Sequence, residues 1–324
     1  MNEAPLLLLI FNRPDYTQKL FDVIATVKPK NLYIASDGPR KEHPEDVILV
    51  NKTRAIFDNI NWECSVRKLY REENLSCGPA VSSAITWFFD HEEQGIILED
   101  DCIPSISFFQ FCNILLEKYK LNDNVMMIGG YSLFTKDILK NNNESYFFTN
   151  IKTIWGWATW KRAWNKYRLE INDDMISKAE NNKVWTELKY KTIRKSKKDI
   201  LLATYKGLVN TWDIQWDYCI SVNNGICILP FVNLISNIGE FGTNYSPSNF
   251  NINNKRYEID TVNLIHTKEI RVNERTDAIY QKILNDKLSK INEPLVQFAI
   301  NKMKFYILKV LRSVGIYDYL KKAK

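Results

Sequence analysis

The seven residues Pro5-Leu6-Leu7-Leu8-Leu9-Ile10-Phe11 carry no polar side chain. A strand sends successive side chains to opposite faces of its sheet, so an unbroken apolar run must be covered on both sides. That demands helices above and below the sheet, and the following residues supply them. Asn12-Arg13-Pro14-Asp15 reads as a turn. Residues 16–27 place Leu20, Val23, Ile24 and Val27 at helical spacing. Residues 31–35 read as a second strand ending in Ser36-Asp37-Gly38-Pro39-Arg40, 47–59 as a second helix and 64–70 as a third strand. Ser76-Cys77-Gly78-Pro79 opens a helix reaching about Asp90, and Ile96-Ile97-Leu98 closes the series. Strands that alternate with helices in this way predict an α/β fold, a mostly parallel central sheet flanked by helices.

The fourth strand stops on Glu99-Asp100-Asp101. Adjacent like charges are costly to bury without a counter-ion. A crevice holding a divalent cation removes most of that cost, and hard oxygen ligands suit Mg²⁺ or Mn²⁺, which in turn neutralise a diphosphate. The same residues also fit a solvated acidic turn. Ligands of open α/β sheets bind beyond the carboxyl ends of the strands. Arg13, Asp37 and Asp101 each follow a strand and are expected at that edge, although Arg13 alone reads as a loop arginine and Asp37 as a turn residue.

Further along, residues 108–119 read as a helix, 125–129 and 145–150 as strands. Ile154-Trp155-Gly156-Trp157-Ala158-Thr159-Trp160 reads as a tryptophan loop whose flat rings suit sugars or nucleobases, with an aromatic core cluster as the equal alternative. Helices are expected over 161–167 and 185–208, and short strands over 226–230 and 234–237. Thr211-Trp212-Asp213-Ile214-Gln215-Trp216-Asp217 forms a second aromatic and acidic cluster. Residues 246–254 are rich in Asn and Ser. From Leu295 onward apolar residues follow a helical repeat beside Lys302, Lys304, Lys309, Arg312, Lys321, Lys322 and Lys324, a pattern shared by interfacial helices and by docked helices with a solvated face.

Charge and cysteine usage narrow the classes. A net charge of +6 on 324 residues, concentrated near 189–198 and in the C-terminal stretch, argues against a general nucleic-acid binder. The six cysteines show no C-x-x-C pair or zinc spacing and read as free thiols of a reducing compartment. No signal peptide and no apolar stretch of membrane-spanning length is seen. The expected location is cytoplasmic, at the inner face of the cell membrane if the basic helix docks there.

Taken in order, Leu6–Pro14, Ser36-Asp37-Gly38, Ile96–Asp101 with Phe108-Phe109, Trp155-Gly156-Trp157 and Trp212-Asp213 with Trp216 resemble the GT-A-fold nucleotide-sugar glycosyltransferases. Within them the chain is most similar to the N-acetylglucosaminyltransferase I-like group and its bacterial polysaccharide relatives, over about residues 5–245. The resemblance implies a catalytic domain over 1–245, with a nucleotide-binding half to about 130 and an acceptor half from 131. A loop-rich and helical extension (246–294) and a basic amphipathic helix (295–324) would follow. It further implies that Asn12 and Arg13 hold the nucleoside diphosphate, Asp37 the uracil, and Glu99 and Asp100 the sugar and ribose hydroxyls. Asp101 would ligate Mn²⁺ or Mg²⁺, and Trp155, Gly156, Trp157 and Trp212 would shape a sugar pocket. Asp213 would be the base, with Asp217 one helical turn away as the alternative. Asn244 stands where the family places a His.

The implied reaction is inverting transfer from a UDP-sugar to a glycan or glycolipid acceptor, in which a carboxylate takes the acceptor proton and a cation stabilises the departing diphosphate. A sugar nucleotidyltransferase would need a glycine-rich phosphate loop after the first strand, and Asn12-Arg13-Pro14 has no glycine. A relative that binds carbohydrate without catalysis is the other alternative.

Overall fold

The computed structural model describes residues 3–134, 144–239 and 255–289. The expected alternation opens the chain: β1 (Leu6–Ile10), α1 (Pro14–Val27), β2 (Asn31–Ser36), α2 (Glu45–Ala55), β3 (Ser65–Tyr70), α3 (Cys77–His91) and β4 (Gln94–Glu99). Helix α1 begins two residues earlier than its apolar spacing indicates. Pro14 accounts for this, because its fixed φ suits the first helical turn and its missing N–H would be unpaired there anyway. Lys28 closes α1 in the left-handed conformation, its N–H donating to Ile24 O at 2.8 Å.

There follow β5 (Cys102–Pro104), α4 (Ile106–Tyr119), β6 (Val125–Gly129), β7 (Tyr146–Thr149), β8 (Trp157–Trp160), α5 (Lys161–Trp164), α6 (Asp173–Glu180), α7 (Lys191–Tyr205), α8 (Asp213–Val222), β9 (Ile226–Pro230), β10 (Ile235–Asn237) and α9 (Glu274–Ser289). Eight of these strands form one sheet in the order β3-β2-β1-β4-β8-β6-β9-β7. The first four are mutually parallel, and β6 and β9 share their direction, while β8 and β7 run antiparallel to their neighbours. The chain therefore has the expected α/β class with a mostly parallel, helix-flanked sheet.

The run at β1 is buried throughout. Leu6, Leu8 and Ile10 pack with Leu20, Phe21, Ile24 and Leu115 of α1 and α4. Leu7 and Leu9 face the other layer, with Ile85, Phe88 and Phe89 of α3 and Trp212 and Trp216 around α8.

Three expectations are corrected. The tryptophan stretch supplies a central strand, β8, hydrogen-bonded between β4 and β6. The helix expected over 185–208 starts only at Lys191, because Trp185 takes the left-handed φ of +59° and cannot continue a helix. The helix expected over 161–167 ends at Trp164. The Asn/Ser-rich segment, Asn244 and the basic stretch 295–324 lie outside the described residues. Among the described residues no helix is long and apolar enough to cross a membrane.

Candidate active site

Because β1, β2 and β4 are parallel and in register, Leu9 opposite Glu99 and Ile10 opposite Ser36, the residues that follow them meet at one edge. Arg13 lies across this edge. Its guanidinium bonds Asp100 Oδ1 at 3.0 Å and Asp101 Oδ2 at 2.9 Å. These carboxylates hold the Arg13 pKa well above its ordinary value against the opposing effect of burial. The acidic triplet is thus partly neutralised from within the chain. Asp100 is buried, its backbone N–H donates to Leu9 O, and its Oδ2 has no hydrogen-bond partner. Burial pushes the Asp100 carboxyl up to about 7 despite Arg13. Glu99, also stripped of water and faced by Asp101 and Asp100, is pushed up to about 8. Its carboxylate makes no hydrogen bond among the described residues.

A second, two-stranded sheet completes this edge. Antiparallel pairing of β5 with β10 sets Asn237 opposite Cys102. The chain beyond β10 then lies on Asp101: Ile238 N donates to Asp101 O at 2.8 Å, and Asn237 Nδ2 reaches Asp101 Oδ1 at 3.4 Å. A Cβ on Gly239 would fall 2.4 Å from Asp101 Oδ2. Asn237 and Gly239 were not singled out from the sequence. A three-residue strand pairing across more than a hundred residues leaves no local signal.

Two expected donor-site residues are engaged in holding the edge together. Asn12 Nδ2 donates to Asp46 Oδ1 at 2.7 Å, and the buried Asp46 also receives Nε and Nη2 of Arg40 at 2.6 and 2.9 Å. Asp37 Oδ1 accepts from Gly38 N and Leu75 N, each at 3.0 Å, which ties the end of β2 to the loop before α3. Burial raises the Asp37 pKa, opposed by these N–H donors.

On the opposite side, Asp213 begins α8. Its Oδ1 accepts from Thr211 Oγ1 and from Ile214 N at 2.9 Å, and Oδ2 has no hydrogen bond among the described residues. Asp213 adds a small electrostatic contribution to the raised pKa of Glu99, which burial dominates, and another to that of Cys77. It also lines a cavity of about 320 Å³ enclosed by α7, α8, α9 and residues 151–155. Asp217 differs sharply. It is buried, Oδ2 is ion-paired with Lys197, and Oδ1 accepts from Trp185 Nε1 at 2.6 Å. Burial works against its ionisation, but Lys197 and Lys152 outweigh this and hold its pKa below the ordinary carboxylate value.

The tryptophans divide likewise. Trp155 lines the cavity, edge-on to Tyr131 at 4.8 Å. Trp157 and Trp212 are 1% and 2% exposed and stack on each other at 5.6 Å, so their rings offer no face to a sugar. Their expected role as pocket walls is corrected to core packing. A strand buried between two layers points bulky rings into the interior. Gly156 sits between them at φ +62° against Ile235 and Leu98.

Among the described residues no group of three His, Cys, Asp or Glu side chains is arranged to hold a metal. Mg²⁺ and Mn²⁺ in nucleotide sites commonly take one or two protein carboxylates, with phosphate oxygens and water completing the shell. Asp101, only 15% exposed and beside the unpartnered Asp100 Oδ2, fits that mode and not an all-protein cage.

No protein-family model matches the chain, and none of the curated proteins matches it in sequence. Weak likenesses to solved structures exist. The mannosyltransferase PcManGT from Pyrobaculum calidifontis, in complex with GDP-Man and Mn²⁺, is 12% identical, with 67% of this chain and 74% of that one covered and a TM-score of 0.36. An apo UDP-glucose pyrophosphorylase is 10% identical over 72% and 93%, with a TM-score of 0.33. Mouse xyloside xylosyltransferase 1 is 9% identical over 68% and 81%, with a TM-score of 0.31. Likeness this slight leaves the functional reading to the residues of the site.

Proposed function

We propose that the chain is an inverting, divalent-metal-dependent glycosyltransferase. It moves a sugar from a UDP-sugar to a carbohydrate acceptor, a lipid-linked glycan in assembly of a bacterial surface polysaccharide. The observation that carries this reading is the place of Asp213, which lines a cavity and acts electrostatically on Glu99 of the acidic strand end. A transfer site needs that arrangement: a donor side that manages diphosphate charge, an acceptor side of different character, and one carboxylate between them.

On the donor side, Arg13 is the cation placed to meet a diphosphate, exchanging its bonds to Asp100 and Asp101 for bonds to phosphate oxygens. Asp101 would hold the divalent ion, which when bound stabilises negative charge on the leaving diphosphate. Glu99, whose carboxylate makes no hydrogen bond among the described residues, would orient the donor sugar or ribose hydroxyls. Asp213 accepts the proton of the acceptor hydroxyl through Oδ2, while Thr211 and Ile214 N fix Oδ1. Asp217 is a poor base, since both its oxygens are engaged and its pKa is lowered. The basic stretch 295–324 supplies contact with an anionic membrane carrying the acceptor. Truncation after Glu293 that leaves transfer to a membrane-borne acceptor unchanged would remove that part.

The test is UDP release and sugar transfer with a panel of UDP-sugars, with Mn²⁺ or with EDTA, comparing wild type, Asp101→Ala and Asp213→Ala. Metal-dependent turnover of one donor, abolished in Asp101→Ala, is expected. Asp213→Ala should still bind UDP and fail to transfer. No UDP binding by the wild-type protein under any condition would sink the proposal.

A further inference from the structure

We infer that the cavity beside Asp213 receives the hydrocarbon of an amphipathic acceptor, a glycoside whose sugar hydroxyl meets Asp213 and whose apolar aglycone runs inward between α7, α8 and α9. The inference rests on the reading of Asp213 as the transfer base and narrows the acceptor class.

The lining supplies the reason. Leu133, Ile193 and Ile200 of α7, Ile214 of α8, and Leu284 and Leu288 of α9 converge from four segments on about 320 Å³, a volume suited to a small ligand. Apart from Asp213, the charged residues of the wall are already paired. Lys197 is paired with Asp217, and Lys152 donates to Ser221 Oγ at 2.6 Å and to Glu187 Oε1 at 3.4 Å. A pocket built for a bare sugar would present unpaired donors and acceptors along its walls. Here the paired charges leave a wall that is otherwise mostly apolar, aliphatic side chains together with Tyr131, Trp155, Trp216 and Tyr280, so contact along it yields dispersion and loss of hydrated apolar surface. The open polar groups of the wall include Asp213 Oδ2, which makes no hydrogen bond among the described residues, and two buried atoms without a hydrogen-bond partner, the Tyr131 hydroxyl and Trp216 Nε1. A ligand with a polar head and an apolar body matches that distribution.

The full chain is titrated by calorimetry with methyl and octyl glycosides of glucose, galactose and N-acetylglucosamine, the octyl forms below their micelle concentration. Each buried methylene adds about fourfold in affinity, so burial of only two methylenes of the octyl chain should make at least one octyl glycoside bind more than about tenfold tighter than its methyl counterpart. Ile200→Trp, which fills the cavity, should erase that ratio. Leu284→Phe is the second variant if Ile200→Trp fails to fold. Equal binding of every methyl and octyl pair overturns the inference, as does a preference that survives a filled cavity in a natively folded variant. UDP release is followed in the same preparations. Intact metal-dependent release without an octyl preference removes this inference alone. An octyl preference without any release or UDP binding removes the transferase reading and leaves an apolar-ligand site. Transfer to an octyl glycoside in solution, against transfer only to an isoprenoid-phosphate sugar in vesicles, separates a free acceptor from a lipid-borne one.

Discussion

Asp213 and Asp217 lie one helical turn apart on α8, and their surroundings give them different work. Asp213 lines the cavity and keeps one oxygen free of hydrogen bonds among the described residues; Asp217 has both oxygens occupied. Asp213→Asn removes the proton acceptor and keeps the shape. It should lower the transfer rate by roughly 10²–10⁴-fold, the usual contribution of a general base, with UDP affinity nearly unchanged. Transfer kinetics beside UDP titration checks this, and a variant retaining most of its rate would refute the assignment. Gly156 poses a backbone question instead. Its φ of +62° is strained for an L side chain, and a Cβ there would meet Ile235 Cδ1 at 2.4 Å and Leu98 Cδ2 at 3.2 Å. Gly156→Ala should cost about 1–3 kcal/mol of stability in urea denaturation, from the left-handed backbone and the forced shift of two core residues.

At the scale of elements, the first half of the chain was readable because its strands are apolar runs and its helices repeat at 3.6 residues. From β1 to β4 the order, type and approximate limits of the elements follow from the sequence, as does the gathering of Arg13, Asp37 and Asp101 at one edge. Strand β8 was not readable, since Trp157-Ala158-Thr159-Trp160 is buried on both faces and four residues show neither alternation nor a β-branched run. The same burial hid the structural role of Trp157 and Trp212, because an aromatic cluster looks alike in sequence whether it packs inward or faces a ligand. Pairings such as Lys197 with Asp217 depend on tertiary placement and left no spacing to find. The cap of α4 is of this kind: Glu258 accepts from Ile106 N at 3.1 Å and Ser107 N at 2.7 Å across some 150 residues of chain. It satisfies N–H groups that have no partner inside the helix. Glu258→Ala should cost about 1 kcal/mol, the typical value of an N-terminal cap, measured by urea denaturation at neutral pH. No change would mean that water replaces the carboxylate without loss.

At the scale of the whole molecule, the acceptor side is held together by a buried ionic cluster drawn from distant segments. Lys152 precedes β8, Glu187 and Trp185 precede α7, Lys197 lies on α7, and Asp217 and Ser221 lie on α8. The walls of the cavity therefore share one electrostatic joint. Asp217→Asn would leave the partly buried Lys197 without its ion-pair partner and the buried Lys152 facing Glu187 alone. Breaking a buried pair from one side costs about 3–5 kcal/mol, so the variant should be destabilised by that order at pH 7. The pH dependence tests the cause. The Asp217 pKa is lower in the folded protein than in the unfolded chain, because the two lysines and its hydrogen bonds outweigh burial. A lowered carboxyl pKa gives stability that is fully present above the unfolded value of about 3.9 and is lost as pH falls through the native value. Wild-type stability should therefore drop more steeply than that of Asp217→Asn below about pH 4, and the two curves should converge in acid. Urea denaturation of both proteins across this range reads the difference directly. Curves that stay parallel from neutral to acid pH would mean that Asp217 titrates alike in both states, and the ionic joint would then not be what holds α7, α8 and the approach to β8 around the cavity.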